Sequence, residues 1–284
     1  MTSLNIFSPA KVNLFLKVLK KRLDGYHEII TLMQPISIYD EILLDVSDGS
    51  GIFVECNNKN IPLDRTNLAY RAAEMFLRKA GIQKEVHIRI KKNIPAAAGL
   101  GGGSSNAASV LKGLNNILPS GFSTSSLMEI GAELGSDVPF FILNHSAIAY
   151  GRGEKLDLIE IPGYWYVIVN PGFPVSTAWV YGNLLLTKEQ EDINIPSLKN
   201  RLKDICIEDI LENDLEGVTV LEYPDIKDIK SGLRGAGAAG ALMSGSGSTV
   251  FGVFENKEAA GIAFIRIKND PMFKNMAVFA AQGL

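Results

Sequence analysis

The segment best suited to chemistry is residues 95–105, with the sequence Pro-Ala-Ala-Ala-Gly-Leu-Gly-Gly-Gly-Ser-Ser. Glycines allow positive φ and let the backbone approach a ligand closely, and the two hydroxyls add hydrogen-bonding groups. Apolar residues alternate with polar ones over 86–91, which predicts a strand, and recur with helical spacing over 107–118, which predicts a helix. We expect Ser104 or Ser105 to cap that helix. A flexible connector is the alternative, but a glycine loop between a strand and a helix favours phosphate binding.

Several known phosphate loops do not match this segment. The chain contains no Gly-Lys pair, which a P-loop requires. A dinucleotide fingerprint that starts at Gly99 would end on Ser104 rather than Gly or Ala, and no acidic residue follows at the expected distance. The His-Arg-Asp and Asp-Phe-Gly motifs of protein kinases are also missing from the sequence.

Two charged residues elsewhere could take part in phosphate chemistry. Lys11 interrupts a strand-like apolar pattern, where a charged group needs solvent or a partner. Asp137 lies just after Gly135, at which a predicted helix ends, and just before Pro139. A single aspartate at such a position is most often a cap or turn former, so local sequence alone leaves its role open.

Composition indicates an ordinary soluble protein. The 284 residues are 46% hydrophobic and 21% charged with a net charge of −3, which disfavours nucleic acid as a partner. Cys56 and Cys206 lie far apart, so we expect neither a disulfide framework nor a zinc site, and a reducing cytoplasm as the location. His27, His87 and His145 are too scattered to predict a metal cluster. No signal peptide pattern or apolar run of about 18–20 residues predicts a membrane segment.

The order of elements predicts two lobes, 1–158 and 159–284. Short strands are predicted over residues 1–60, helices over 64–80 and 125–134, and strands over 140–150 and 164–170. The segment 244–247, Ser-Gly-Ser-Gly, is expected to turn between two strands, either as a plain hairpin or as a support for the phosphate loop.

Three motifs together resemble the GHMP kinase superfamily. The central one covers 95–108, and the two others are Ser-Pro-Ala-Lys-Val-Asn-Leu-Phe-Leu at 8–16 and Leu-Met-Ser-Gly-Ser-Gly-Ser-Thr-Val-Phe at 242–251. The resemblance implies an α+β fold with an N-terminal lobe of the ribosomal-protein-S5-like type, a C-terminal ferredoxin-like lobe, and an active site in the cleft. Arg-Leu-Asp-Gly-Tyr-His-Glu at 22–28 and Gly-Ser-Asp-Val-Pro-Phe at 135–140 resemble one branch of the superfamily. That branch uses ATP to phosphorylate the 2-hydroxyl of 4-diphosphocytidyl-2-C-methyl-D-erythritol in the non-mevalonate route to isoprenoid precursors.

The resemblance also implies roles for individual residues. Asp137 would act as general base, or would merely orient the hydroxyl, and Lys11 would lower the hydroxyl's pKa and orient Asp137. The expected ATP-binding residues are Asn67, Lys92, Pro95, Ala96, Ala97, Ala98, Gly99, Leu100, Gly101, Gly102, Gly103, Ser104 and Ser105. The expected substrate-binding residues are Asn13, Tyr26, His27, Thr177 and Tyr181. Mg²⁺ should accompany ATP, with Ser105 as a candidate ligand.

Some of these assignments have open alternatives. Lys92 could equally be a surface lysine at a strand end, and Tyr26 and Tyr181 could be half-buried packing residues. Tyr181 also departs from the phenylalanine often found at its position in the family. Rival functions are a kinase of the same superfamily for homoserine, mevalonate or a sugar, a nucleotide-binding regulator without catalysis, and an interaction scaffold. We expect a monomer or a weak homodimer.

Overall fold

The computed structural model describes residues 1–185 and 206–284, together with 195, 198 and 199. They form two compact units that alternate along the chain. The first comprises Met1–Ala10, Ile38–Ala96 and Gly101–Asn144, and the second comprises Lys11–Ser37, Ala97–Leu100 and His145–Leu284. Residues 97–100 of the glycine loop therefore group with the second unit, while the rest of the loop groups with the first. The lobe boundary between 158 and 159 stays a prediction.

The strands of the first unit come from the beginning of β1 (Thr2–Lys21), the second half of β2 (His27–Ser47), β3 (Gly51–Cys56) and β4 (Glu85–Lys91). β4 pairs antiparallel with β2, from Glu41↔Lys91 to Ser47↔Glu85, and parallel with β3. The predicted β4 is confirmed, with Val86, Ile88 and Ile90 buried. The short strands predicted over residues 1–60 are wrong in length, because β1 and β2 have 20 and 21 residues.

Four helices belong to this unit: α1 (Leu68–Ala80), α2 (Gly102–Ile117), α3 (Thr124–Leu134) and α4 (Val138–Leu143). α1 begins four residues later than predicted, because Asn67 caps it. The strand predicted over 140–150 is wrong for its first part. Residues 138–142 are all buried in α4, and only Ala147–Gly151 is a strand. A helix that is apolar on every side shows no helical period in its sequence.

The second unit contains a four-stranded antiparallel sheet. The helices and strands described in this unit after β2 are, in chain order, β5 (Ala147–Gly151), β6 (Lys155–Leu158), β7 (Trp165–Asn170), α5 (Thr177–Gly182), β8 (Glu212–Asn213), α6 (Asp214–Glu222), α7 (Asp225–Gly235), β9 (Gly240–Met243), β10 (Val250–Phe254), α8 (Lys257–Asn269) and β11 (Ala277–Gln282). The sheet order is β11-β7-β10-β9. β7 and β10 are buried along almost their whole length, as expected for a sheet covered on both faces.

The second half of β1 and the first half of β2 complete this unit's framework. β2 pairs antiparallel with β5, from Ile29↔Gly151 to Met33↔Ala147, and β1 pairs parallel with β8. This pairing places the turn after β5 beside the start of β2. The α+β fold class is confirmed, and no described helix is long and apolar enough to cross a bilayer.

Candidate active site

The glycine loop leads directly into α2. Gly101, with φ of 70°, occupies the cap position, and no described side chain caps this helix. The prediction that Ser104 or Ser105 caps α2 is therefore wrong, because both lie inside its first turn. The first N–H groups of a helix have no intrahelical acceptor and carry a partial positive charge. The start of α2 can thus receive an anion.

The loop backbone is packed against the turn that follows β9. Gly99 has φ of 77°, and a Cβ built on it would stand 2.0 Å from the carbonyl oxygen of Ser244. The Ser244 hydroxyl donates to the Gly99 carbonyl at 2.9 Å, and the Thr249 N–H donates to the Ala98 carbonyl at 3.3 Å. Ala97 has φ of 48°, a conformation that is uncommon outside glycine. The prediction that this turn supports the loop is confirmed.

Lys11 is buried beside the same loop. Its side chain donates to Asn13 Oδ1 at 2.5 Å and to the Gly99 carbonyl at 2.8 Å. Asn13 Nδ2 in turn donates to Thr31 Oγ1 at 2.9 Å, which directs the amide oxygen toward the lysine. The sequence predicted that a lysine in an apolar strand needs solvent or a partner, and Lys11 has partners in these two oxygens. The ammonium is held where it can act on charge near Gly99.

Asp137 is the last of the three residues, 135–137, that connect α3 to α4. It is half-buried, with φ of −82°, and its side chain does not cap α4. Capping, the ordinary role of an aspartate at this position, is therefore not what its carboxylate does. Pro139 is the second residue of the helix, where its fixed φ suits the first turn.

The candidate cytidine residues form an aromatic group at the start of β2. The rings of His27 and Tyr181 stack, with centroids 5.0 Å apart and planes inclined by 25°. Tyr26 is 53% exposed, and its role in substrate binding stays a prediction. The Arg152 guanidinium lies 4.9 Å from the centre of the Tyr26 ring, which is the distance of a cation–π pair. Sequence reasoning missed Arg152, although the Gly-Arg-Gly sequence at 151–153 marks its turn.

Ion pairs shape the turn that precedes these rings. Arg22 donates to Asp24 at 2.9 Å and to Glu28 at 2.7 Å, and Asp24 accepts from the Tyr26 N–H at 3.1 Å. The hydrogen bond from Arg22 lowers the pKa of Asp24. Burial lowers the pKa of His27, and the charge of Lys21 lowers it further. His27 is therefore neutral at pH 7 and can use one ring nitrogen as a donor and the other as an acceptor.

The hydroxyl of Thr177 contacts the turn after β9. It is exposed at the first position of α5, and its hydroxyl is 2.9 Å from the hydroxyl of Ser246. The structure thus brings Thr177 to the same glycine–serine turn that supports the phosphate loop.

The other predicted nucleotide residues have structural partners. Asn67 caps α1 by accepting from the Ala69 N–H at 2.8 Å, and it donates to the Pro62 carbonyl at 2.7 Å. The Lys92 side chain is only 4% exposed and pairs with buried Asp40, so the surface alternative for Lys92 is wrong. Sequence reasoning missed Asp40, because nothing in its local pattern distinguishes it from other strand aspartates.

The predicted metal ligand, Ser105, is fully buried. Its hydroxyl donates to Ser8 Oγ at 3.3 Å, and Ser8 Oγ is 2.6 Å from Ser109 Oγ. Across the described residues, no three carboxylate, histidine or cysteine side chains form a metal-binding group. The neighbouring Ser104 is less buried than Ser105.

Comparison with known proteins agrees with this geometry. Residues 67–145 match the model for the GHMP kinases N terminal domain, and residues 195–268 match the model for GHMP kinases C terminal. A 4-diphosphocytidyl-2-C-methyl-D-erythritol kinase of Syntrophotalea carbinolica is 49% identical over 96% of this chain and 98% of its own length. One of Geobacter metallireducens is 50% identical over 99% of both chains.

A solved structure supports the same conclusion. The crystal structure of a 4-(cytidine 5'-diphospho)-2C-methyl-D-erythritol kinase superposes with a TM-score of 0.83, at 35% identity, and covers 99% of this chain and 100% of its own. The fold and the glycine loop at the start of α2 are those of a GHMP-type small-molecule kinase. Within that class, the chain belongs to the family of 4-diphosphocytidyl-2-C-methyl-D-erythritol kinases.

Replacing Gly99 by alanine should destabilise the protein. The new Cβ would meet the Ser244 carbonyl, and alanine disfavours positive φ, so the free energy of unfolding should fall by about 2–4 kcal/mol. Gly103→Ala is the matched control, because Gly103 is helical and its nearest neighbour, Leu68 Cδ1, is 3.7 Å from the built Cβ. Urea unfolding of both variants measures the difference. Equal stabilities would contradict the packing described for Gly99.

His27 should titrate below the ordinary histidine value of 6.5. When the folded pKa lies below the unfolded one, the unfolded chain binds more protons at pH values between the two. The contribution of His27 to the free energy of unfolding is therefore lost as pH falls below about 6.5. Proton NMR of the three histidines, with His27→Gln to assign the signal, measures the value. A His27 pKa at or above 6.5 would show that burial does not determine the pKa of this ring.

Proposed function

We propose that this protein catalyses the ATP-dependent phosphorylation of the 2-hydroxyl of 4-diphosphocytidyl-2-C-methyl-D-erythritol, giving the 2-phosphate and ADP, in the non-mevalonate route to isoprenoid precursors. The observation that carries the proposal is the similarity to kinases of that name, at 49–50% identity over nearly the full length of both chains. A glycine loop that ends in an uncapped helix start supports it independently.

The loop and Lys11 are assigned to the transferring phosphoryl group. Backbone N–H groups at the start of α2 hold phosphate oxygens, and the buried ammonium of Lys11 lies against the loop at Gly99. An ammonium in a buried setting stabilises developing negative charge more than it would in water. This position supports the role of Lys11 in offsetting charge on the phosphoryl group and on the attacking hydroxyl.

Asp137 is assigned to the hydroxyl that attacks. Its carboxylate is half-buried and does not cap α4, and in the proposed role it accepts the hydroxyl proton as the new O–P bond forms. The γ-phosphoryl group passes to the substrate oxygen, and ADP leaves with the electron pair of the broken bond.

The aromatic group at the start of β2 is assigned to the cytosine base. Tyr26 and Tyr181 offer ring faces, and neutral His27 offers a donor and an acceptor to the base edge. Asn13 and Thr177 are assigned to the methylerythritol end. Asn67, Lys92 and residues 95–105 are assigned to ATP.

Mg²⁺ is proposed to accompany ATP. When bound, it would neutralise part of the phosphate charge. The Ser105 hydroxyl donates its hydrogen to Ser8, so its oxygen lone pairs are what it would offer to the ion, directly or through water. Free thiols at Cys56 and Cys206 support a cytoplasmic location.

ADP release with purified protein, ATP and Mg²⁺ tests the substrate assignment. We expect release with the cytidine diphosphate methylerythritol substrate and none above background with homoserine, mevalonate, galactose or no acceptor. ADP release with only one of the other acceptors would overturn the substrate assignment, although the protein would still be a kinase. Absence of release with every acceptor would favour a nucleotide-binding regulator.

Asp137→Asn should lower kcat by about 10² to 10⁴, the usual contribution of a general base, while ADP binding stays within twofold. Asparagine has nearly the same shape but cannot take the proton. Glu133→Gln in the preceding helix is the control, because Glu133 is exposed and pairs only at the surface with Lys79. Steady-state kinetics and calorimetry measure both quantities. A kcat for Asp137→Asn within threefold of the unchanged protein would refute the assignment.

A further inference from the structure

Asp40, a residue of β2 outside every motif considered above, has a fully buried carboxylate with four donors. Its Oδ1 accepts from the N–H groups of Asn93 and Ile94, both at 2.8 Å. Its Oδ2 accepts from Asn106 Nδ2 at 2.9 Å and pairs with the Lys92 ammonium. The exposed fraction of the side chain is 0% for Asp40 and 4% for Lys92.

These donors come from both ends of the glycine loop. Asn93 and Ile94 immediately precede Pro95, where the loop begins, while Asn106 lies on α2, where the loop has ended. One carboxylate therefore ties the segment that enters the loop to the helix that leaves it. All of these residues belong to the first compact unit.

The same carboxylate fixes the Lys92 ammonium against the start of α2. A Cβ built on Gly102, the first residue of that helix, would stand 2.6 Å from Lys92 Nζ. A cation at a helix N-terminus is unfavourable unless a negative charge accompanies it. Asp40 supplies that charge. A buried ion pair also requires hydrogen bonds to its remaining polar atoms, and the Asp40 carboxylate receives three more, from Asn93, Ile94 and Asn106.

We propose that Asp40 is a positioning residue for nucleotide binding: it holds Lys92 and both ends of the loop in the arrangement that receives the phosphates. This rests on the proposed binding of ATP by residues 95–105. Asp40 does not touch the nucleotide, and it acts through Lys92, through Asn106 and through the backbone at 93–94. Loss of its charge leaves a buried ammonium without its counter-charge, which should displace Lys92 and loosen the loop.

The test is calorimetric titration of ADP into the full-length protein and its variants. Asp40→Asn keeps the shape of the side chain but removes the charge, and it should weaken ADP binding about tenfold while the KM of the cytidine substrate stays within twofold. Because Lys92 is one of the three routes, adding Asp40→Asn to Lys92→Met should weaken ADP binding by a smaller factor than Asp40→Asn does in the unchanged protein.

A matched control variant tests whether the loss of any buried aspartate from this strand weakens ADP binding. Asp45 lies on the same strand, is 3% exposed, and pairs with Arg89 of β4, far along the strand from the loop. Asp45→Asn should bind ADP within twofold of the unchanged protein. Equal weakening in the two variants would show general loosening of the sheet and would overturn the proposal, as would unchanged ADP affinity in Asp40→Asn.

A further variant keeps the test decisive if Asp40→Asn does not fold. Asn106→Ala removes one donor to the carboxylate and leaves the ion pair, and it should weaken ADP binding about threefold. Unchanged affinity in folded Asn106→Ala would then overturn the proposal. An incorrect substrate assignment would give a different result. The protein would then show no turnover with the cytidine compound, while the differences in ADP affinity among the variants would remain.

Discussion

The close approach of Gly99 to the Ser244 carbonyl is the constraint on which the candidate site depends. No side chain fits between these two backbones, and the contact is joined by hydrogen bonds from Ser244 and Thr249 to the loop. The Gly99 carbonyl also accepts from Lys11. Three motifs that are far apart in the sequence therefore meet at one short piece of backbone, and a change in any of them displaces the other two.

The four glycines of the loop meet different requirements. Gly99 and Gly101 adopt positive φ, and Gly99 must also leave room for the neighbouring turn. Gly102 leaves room for the Lys92 ammonium, whereas Gly103 is exposed and has no atom closer than 3.7 Å to a built Cβ. A motif written as a run of glycines thus combines backbone conformation, contact between loops and space for a charged side chain, and only the first of these is a local property.

Local features were predictable from the sequence, and long-range ones were not. The alternation in β4 and the helical spacing in α2 are short-range patterns, and both elements form, although α2 begins at Gly102, before the predicted cap at Ser104 or Ser105. α4 was mistaken for a strand because its residues are buried on every side. Asp40 and Arg152 were missed because their partners, Lys92 and Tyr26, lie 52 and 126 residues away, and only the paired strands bring them together.

The aromatic group limits how a cytosine base bound as proposed would gain binding energy. One face of Tyr181 is covered by His27, and Arg152 lies over Tyr26, so a base that stacks on either of these covered faces would replace a contact already present. Stacking of a base contributes about 1–3 kcal/mol, and the aromatic pair that it displaces contributes roughly 0.5–1.5 kcal/mol. The net gain from stacking is correspondingly small. Discrimination for cytosine must then come mainly from hydrogen bonds to its edge, because a buried polar group left unpaired by the wrong base is costly.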